Sequence, residues 1–161
     1  MLHSNLSKLV ILLFGLLISF NPLQAQAVQK EQNPYVQILK EQDFTFTAQA
    51  YATASSEKKQ MTDPYSFKVS LDSIVGVLPY YGQSYTAQIN LTDGSIKFNI
   101  LKYKYELIEK KKNRYQVSIK PEDKNTTIQS FYMTIFSDGT GQVDVVSRNR
   151  EPMTFYGSIS R

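Results

Sequence analysis

From Phe44 to Ile159 the apolar residues of this chain recur at every second position. A period of two places alternate side chains on opposite faces of an extended strand. Phe44, Phe46, Ala48, Ala50 and Ala52 fall on one side, with Thr45, Thr47, Gln49, Tyr51 and Thr53 on the other. The pattern repeats in Phe67, Val69 and Leu71, in Tyr85, Ala87, Ile89 and Leu91, in Ile96, Phe98 and Ile100, and in Tyr115, Val117 and Ile119. Ile128 to Phe136 is apolar on both faces, with Phe131, Met133 and Ile135 opposed to Tyr132 and Phe136, which predicts a central strand. Turn signals rather than helices separate these runs: the polar stretch Ser55 to Pro64, Asp93-Gly94, the Lys111 to Asn113 turn, Pro121 to Lys124, and Asp138-Gly139. The phase slips by one residue at Leu101 before Tyr103, Tyr105 and Leu107 resume it, so a bulge or bend is expected there.

This spacing predicts about eight to ten short strands. Hairpin-length connections favour an antiparallel up-and-down meander, and closing it into a barrel would remove the exposed edges. The expected fold is therefore all-β: an up-and-down β-barrel over residues 44–161, either filled by side chains or wide enough for one small ligand. One short helix precedes it in a lead segment, 28–43. Asn33 is placed to cap that helix, Pro34 takes its first position, and Tyr35, Ile38 and Leu39 share a face as far as about Glu41.

Residues 1–27 have a different character. Lys8 precedes the apolar run Leu9 to Phe20, Asn21-Pro22 breaks it, and Ala25-Gln26-Ala27 supplies a small-residue cleavage site. The 12-residue run is well short of the roughly 20 apolar residues that span a bilayer. A cleaved signal peptide is the expectation, with a periplasmic or extracellular location and no membrane span after cleavage. The remaining 134 of 161 residues suffice for one domain. With no cysteine in the chain, that domain must be held by its core rather than by disulfides.

The segment Val77-Leu78-Pro79-Tyr80-Tyr81-Gly82 is distinctive. Taken with Phe44-Thr45-Phe46-Thr47-Ala48, Gly94-Ser95-Ile96-Lys97-Phe98, Ser147-Arg148-Asn149-Arg150 and Tyr156-Gly157-Ser158-Ile159, it resembles a family of exported Gram-negative bacterial proteins classified only as a domain of unknown function. The resemblance runs from Phe44 to Ile159, with Asp93-Gly94-Ser95 where the family often has paired glycines. It implies a lipocalin-like β-barrel and supplies no activity, substrate or catalytic residue.

Composition excludes several chemistries. The one histidine, His3, lies in the signal segment, so the mature chain has no histidine, cysteine or tryptophan. Serine or cysteine nucleophiles activated by histidine, and zinc sites of nitrogen and sulfur ligands, are thereby removed. Cleavage takes away Lys8 and no acid, so 17 basic residues stand against 14 acidic ones and the net charge is +3. That is too mild for nucleic acid as partner. The cluster Lys110-Lys111-Lys112 with Arg114 reads as a solvated turn. No cofactor or metal is expected. Asp72, Glu106, Glu109 and Asp144 keep a carboxylate-only hydrolase in view as the remaining enzymatic alternative.

Aromatic residues are the positive signal: eleven tyrosines, and seven phenylalanines once Phe14 and Phe20 are removed. The residues expected to meet a ligand are Tyr80, Tyr81, Phe98, Tyr103, Tyr132 and Tyr156. The leading expectation is a non-enzymatic binding module holding a small apolar or aromatic-bearing ligand inside the barrel. The alternative is a filled barrel that engages an envelope protein or a glycan through a tyrosine-rich face.

Overall fold

The computed structural model describes residues 33–81, 94–111 and 113–161. The signal segment 1–27, the lead residues 28–32, Gly82, the strand expected over Tyr85 to Leu91, Asp93 and Lys112 lie outside the described residues.

Asn33 does cap the short helix α1, Pro34–Glu41: its side-chain oxygen accepts from the Tyr35 amide at 2.9 Å. Gln42 ends it in the left-handed conformation, and Ile38 and Leu39 are buried beneath it. Among the described residues nine strands follow: β1 Phe44–Thr53, β2 Lys59–Ser70, β3 Ser73–Pro79, β4 Ser95–Ile100, β5 Tyr103–Lys110, β6 Arg114–Pro121, β7 Ile128–Phe136, β8 Thr140–Ser147 and β9 Met153–Ser160. They form one antiparallel sheet in the order β4-β3-β2-β1-β9-β8-β7-β6-β5, coiled into a half-barrel. Every step is a meander step except β1 beside β9, which joins the first strand to the last in the middle of the sheet.

Leu101 and Lys102 are where the chain leaves one edge of that sheet, β4, and begins the other, β5. The phase slip read from the sequence is this bend. A register break within the ladder lies instead in β1. Ala48 pairs with Tyr65 and Gly157, whereas Ala50 pairs with Gln60 and Tyr156, so Gln49 stands alone against Met61 to Pro64 of β2. β2 therefore starts at Lys59, inside what the sequence presents as a polar loop. Lys59 to Pro64 are mostly exposed and lack the apolar alternation that announces a strand.

The coiled sheet buries its inner face on itself. Phe67 packs against Phe46, Phe98 and Phe131 at ring separations of 5.5, 6.1 and 5.3 Å, and Phe98 meets Phe131 at 5.5 Å. These four rings unite β1, β2, β4 and β7, and tilted contacts at such distances add to the burial energy of each ring. β7, expected to be central, is an interior strand third from the β5 edge, and only its Phe131, Met133 and Ile135 face is buried; Tyr132 and Phe136 look outward, 45% and 41% exposed. Leu71 and Asp72 form the β2–β3 turn rather than continuing a strand.

Candidate ligand-binding surface

The six tyrosine and phenylalanine positions singled out by sequence do not converge. Phe98 is 8% exposed and belongs to the four-ring core. Tyr103 is fixed near α1: its hydroxyl donates to the Ser70 carbonyl and to Gln42 Oε1. Its neighbour Tyr105 donates to the Leu39 carbonyl at 2.8 Å. Burial pushes both hydroxyls above their ordinary value, with the Asp72 charge adding to the effect at Tyr103. Tyr132 lies exposed on the outer face between Ser118 and Asp144, outside the groove described below.

Tyr80 and Tyr81, adjacent after β3, part company as neighbours on an extended chain should. Arg150, nearly buried, lies over the Tyr80 ring at 4.7 Å, and the Tyr80 hydroxyl reaches the Glu151 carbonyl at 3.4 Å. Tyr81 stacks on Tyr51 at 4.1 Å and remains 51% exposed. Its hydroxyl is raised by burial first and then by Tyr65, Tyr51 and Asp63. The interior beside Tyr80, bounded by Ile96, Val145, Met153 and Phe155, leaves no room for a water molecule.

The register break in β1 is what makes room elsewhere. Residues paired across a ladder share a face. Before the break Phe46 lies opposite Ile159 and both are buried; after it Tyr51 lies opposite Phe155 and turns inward. Ala50 is left on the outer side, in a cross-strand row that runs Gln60, Ala50, Tyr156, Gln142 over β2, β1, β9 and β8. A methyl group between a glutamine and a tyrosine leaves a hollow. The result is an outer groove of about 340 Å³ with Ala50, Gly141 and Gly157 as its floor. Gln49, Lys58, Gln60, Phe136, Thr140, Gln142 and Tyr156 form its walls.

Gly157 is required there. A Cβ at that position would come within 1.9 Å of the Thr47 carbonyl oxygen, a backbone atom with nowhere to go. Lys58 hangs over the Tyr156 ring, its ammonium 4.4 Å from the centroid. At an exposed site such a contact is worth about 0.5–1 kcal/mol, so an incoming group can displace it. Tyr156 is thus the one sequence-predicted residue in the groove. The glutamines and Lys58 were not singled out, because only cross-strand register reveals that they stand beside it.

The remaining polar chemistry is dispersed. Asp144 accepts from Thr154 at 2.6 Å, and Glu106 and Glu109 are exposed on the edge strand β5. Among the described residues no group of three or more carboxylate, histidine or cysteine side chains is placed to hold a metal ion. Nor, among them, is any helix long and apolar enough to cross a membrane.

A nine-stranded antiparallel half-barrel, filled with phenylalanine and grooved outside, is the class of structure that these elements define. The chain belongs to the family described as Domain of unknown function (DUF4251), whose pattern matches residues 26–159. It is similar to the crystal structure, at 1.95 Å resolution, of a DUF4251 family protein from Bacteroides eggerthii DSM 20697. Identity is 16% and the TM-score 0.53, over 78% of this chain and 83% of that one, a likeness of fold. No match was found among curated proteins.

Proposed function

We propose that this is an exported, non-enzymatic binding module of the cell envelope that takes its ligand in the outer groove around Tyr156 rather than inside the barrel. The observation that carries the reading is the contrast between the two faces. Phenylalanine rings occupy the inner side of the sheet, whereas the outer side holds a hollow of about 340 Å³ walled by two aromatic rings, a lysine, a threonine and three glutamines. Ligand sites combine an apolar surface with a few placed polar groups, and this groove has both. Export is supported by the three-part pattern of residues 1–27. A non-catalytic role is supported by the lack of histidine and cysteine beyond His3 and by the separation of Asp144 from the exposed Glu106 and Glu109.

Native mass spectrometry of the mature protein, isolated gently from its own envelope, tests this. The expected result is a chain beginning after Ala27, carrying an adduct that Tyr156→Ala loses and Tyr132→Ala keeps. A chain retaining residues 1–27 would overturn export. A bare mass, with no change in Tm when envelope extract is added back, would overturn the binding role.

A further inference from the structure

We infer that the groove accepts an acidic saccharide, with a sugar ring lying on Tyr156 and its carboxylate meeting Lys58. The inference rests on the binding reading above and names the ligand class for the same site. It follows from the chemistry of the walls. Gln49, Gln60 and Gln142 each present an amide that both donates and accepts, which matches a hydroxyl, itself donor and acceptor. Thr140 adds a fourth group of the same dual kind. The row from Gln60 to Gln142 crosses three strand spacings, roughly 14 Å, so the hydroxyl-matching groups are spread along a strip rather than focused on a point. Between them Tyr156 offers a flat apolar surface, and the C–H face of a pyranose is the complementary shape.

Other ligand classes fit less well. A wholly apolar molecule would strip water from three amides and return no hydrogen bonds. An extended peptide would need free backbone groups. The groove floor lies over β1, flanked by β2 and β9, and over β9, flanked by β1 and β8, so those ladders are already used on both sides except at the break around Gln49, which is too short to add a strand. A phosphate monoester carries close to two negative charges against the single ammonium of the walls, whereas a carboxylate carries one.

Charge then selects among sugars. The groove is walled by one cation and no carboxylate. Among the described residues Lys58 is paired with no acid, its one ring contact being the Tyr156 face that an incoming sugar would take over. An acidic sugar would supply the missing partner and release Lys58 from the ring in the same step.

Titration calorimetry of the mature protein with trigalacturonate, sialyllactose and a hyaluronan tetrasaccharide, each beside an uncharged oligosaccharide of similar length, decides the matter. At least one acidic probe should bind tenfold or more tightly than its neutral counterpart, and weaken as salt is raised. Tyr156→Ala should lower that affinity tenfold or more. Lys58→Gln should bring the acidic probe down to the neutral one, and Tyr132→Ala, on the same sheet face outside the groove, should change neither. Equal binding of acidic and neutral sugars, unaltered by Lys58→Gln, would overturn the inference and leave the binding module standing. Failure of all the sugars, while the native adduct persists and still depends on Tyr156, would also overturn it without touching the wider reading. Loss of both adduct and sugar binding would remove the two together.

Discussion

Tyr105 and Tyr156 are the same residue on two strands of one sheet, and they do opposite things. Tyr105 points its hydroxyl at the Leu39 carbonyl, tying edge strand β5 to α1. Tyr156 offers its ring face to Lys58 and to whatever enters the groove. What differs is where the polar atom is satisfied. A tyrosine whose hydroxyl is spent on a buried carbonyl is a structural strut; one whose face stays open is a surface for recognition. Counting tyrosines therefore overstated the ligand-facing set, and Tyr103 and Phe98 belong with the struts.

That contrast can be broken by removing each side in turn. Tyr105→Ala should be the most damaging change, costing about 3 kcal/mol because it leaves a hollow and takes from the Leu39 carbonyl the shorter of its two hydrogen bonds, only the Gln42 amide at 3.3 Å remaining. The midpoint of urea unfolding reads it directly. Gly157→Ala comes next, at about 2 kcal/mol, because the added methyl group forces the Thr47 carbonyl to move. A loss below half that figure would mean that the groove floor yields easily, and the glycine would no longer explain the hollow.

Smaller effects sharpen the comparison. Tyr105→Phe keeps the ring and loses only the hydrogen bond, an expected loss of about 1 kcal/mol. The hydroxyls of Tyr103 and Tyr105 are held above their ordinary value of 10, so the folded state favours their neutral forms. Their contribution is whole below pH about 10 and disappears as pH climbs through the raised folded values. A double change to phenylalanine should flatten the alkaline fall in stability, followed by circular dichroism from pH 8 upward. At the bottom of the scale, Tyr156→Ala should alter stability by no more than about 0.5 kcal/mol, since it touches the surface. A larger loss would make Tyr156 a strut as well.

The meander, the capped helix and the turns could be read from the chain because each is written locally. Asn33 and Pro34 mark α1, Pro79 closes β3, and Asp138-Gly139 turns β7 into β8, with Gly139 at a φ of 82°. The register break in β1 could not. The run Phe44 to Ala52 alternates without a flaw, and the residue that changes sides, Ala50, is small enough to suit either face. The groove inherits that opacity: Gln60, Tyr156 and Gln142 are distant in sequence and become neighbours only through pairings that the break displaces. The place of Phe98 in the core is hidden for a related reason. Alternation shows that it points inward, and says nothing of Phe67 and Phe131, whose rings fill the space beside it.

The pairing of β1 with β9 has a consequence in time. Thr45 lies opposite Ser160, so β1 and β9 cannot complete their pairing until synthesis has passed Ser160, more than a hundred residues after β1. Contacts between such distant positions form slowly, because a long loop must close before they repay its entropy. A nascent chain of this design has hairpins to form early but no finished sheet, and it remains threadable for as long as β9 is missing. Under the export proposed above, that delay would keep the chain unfolded while it crosses a membrane.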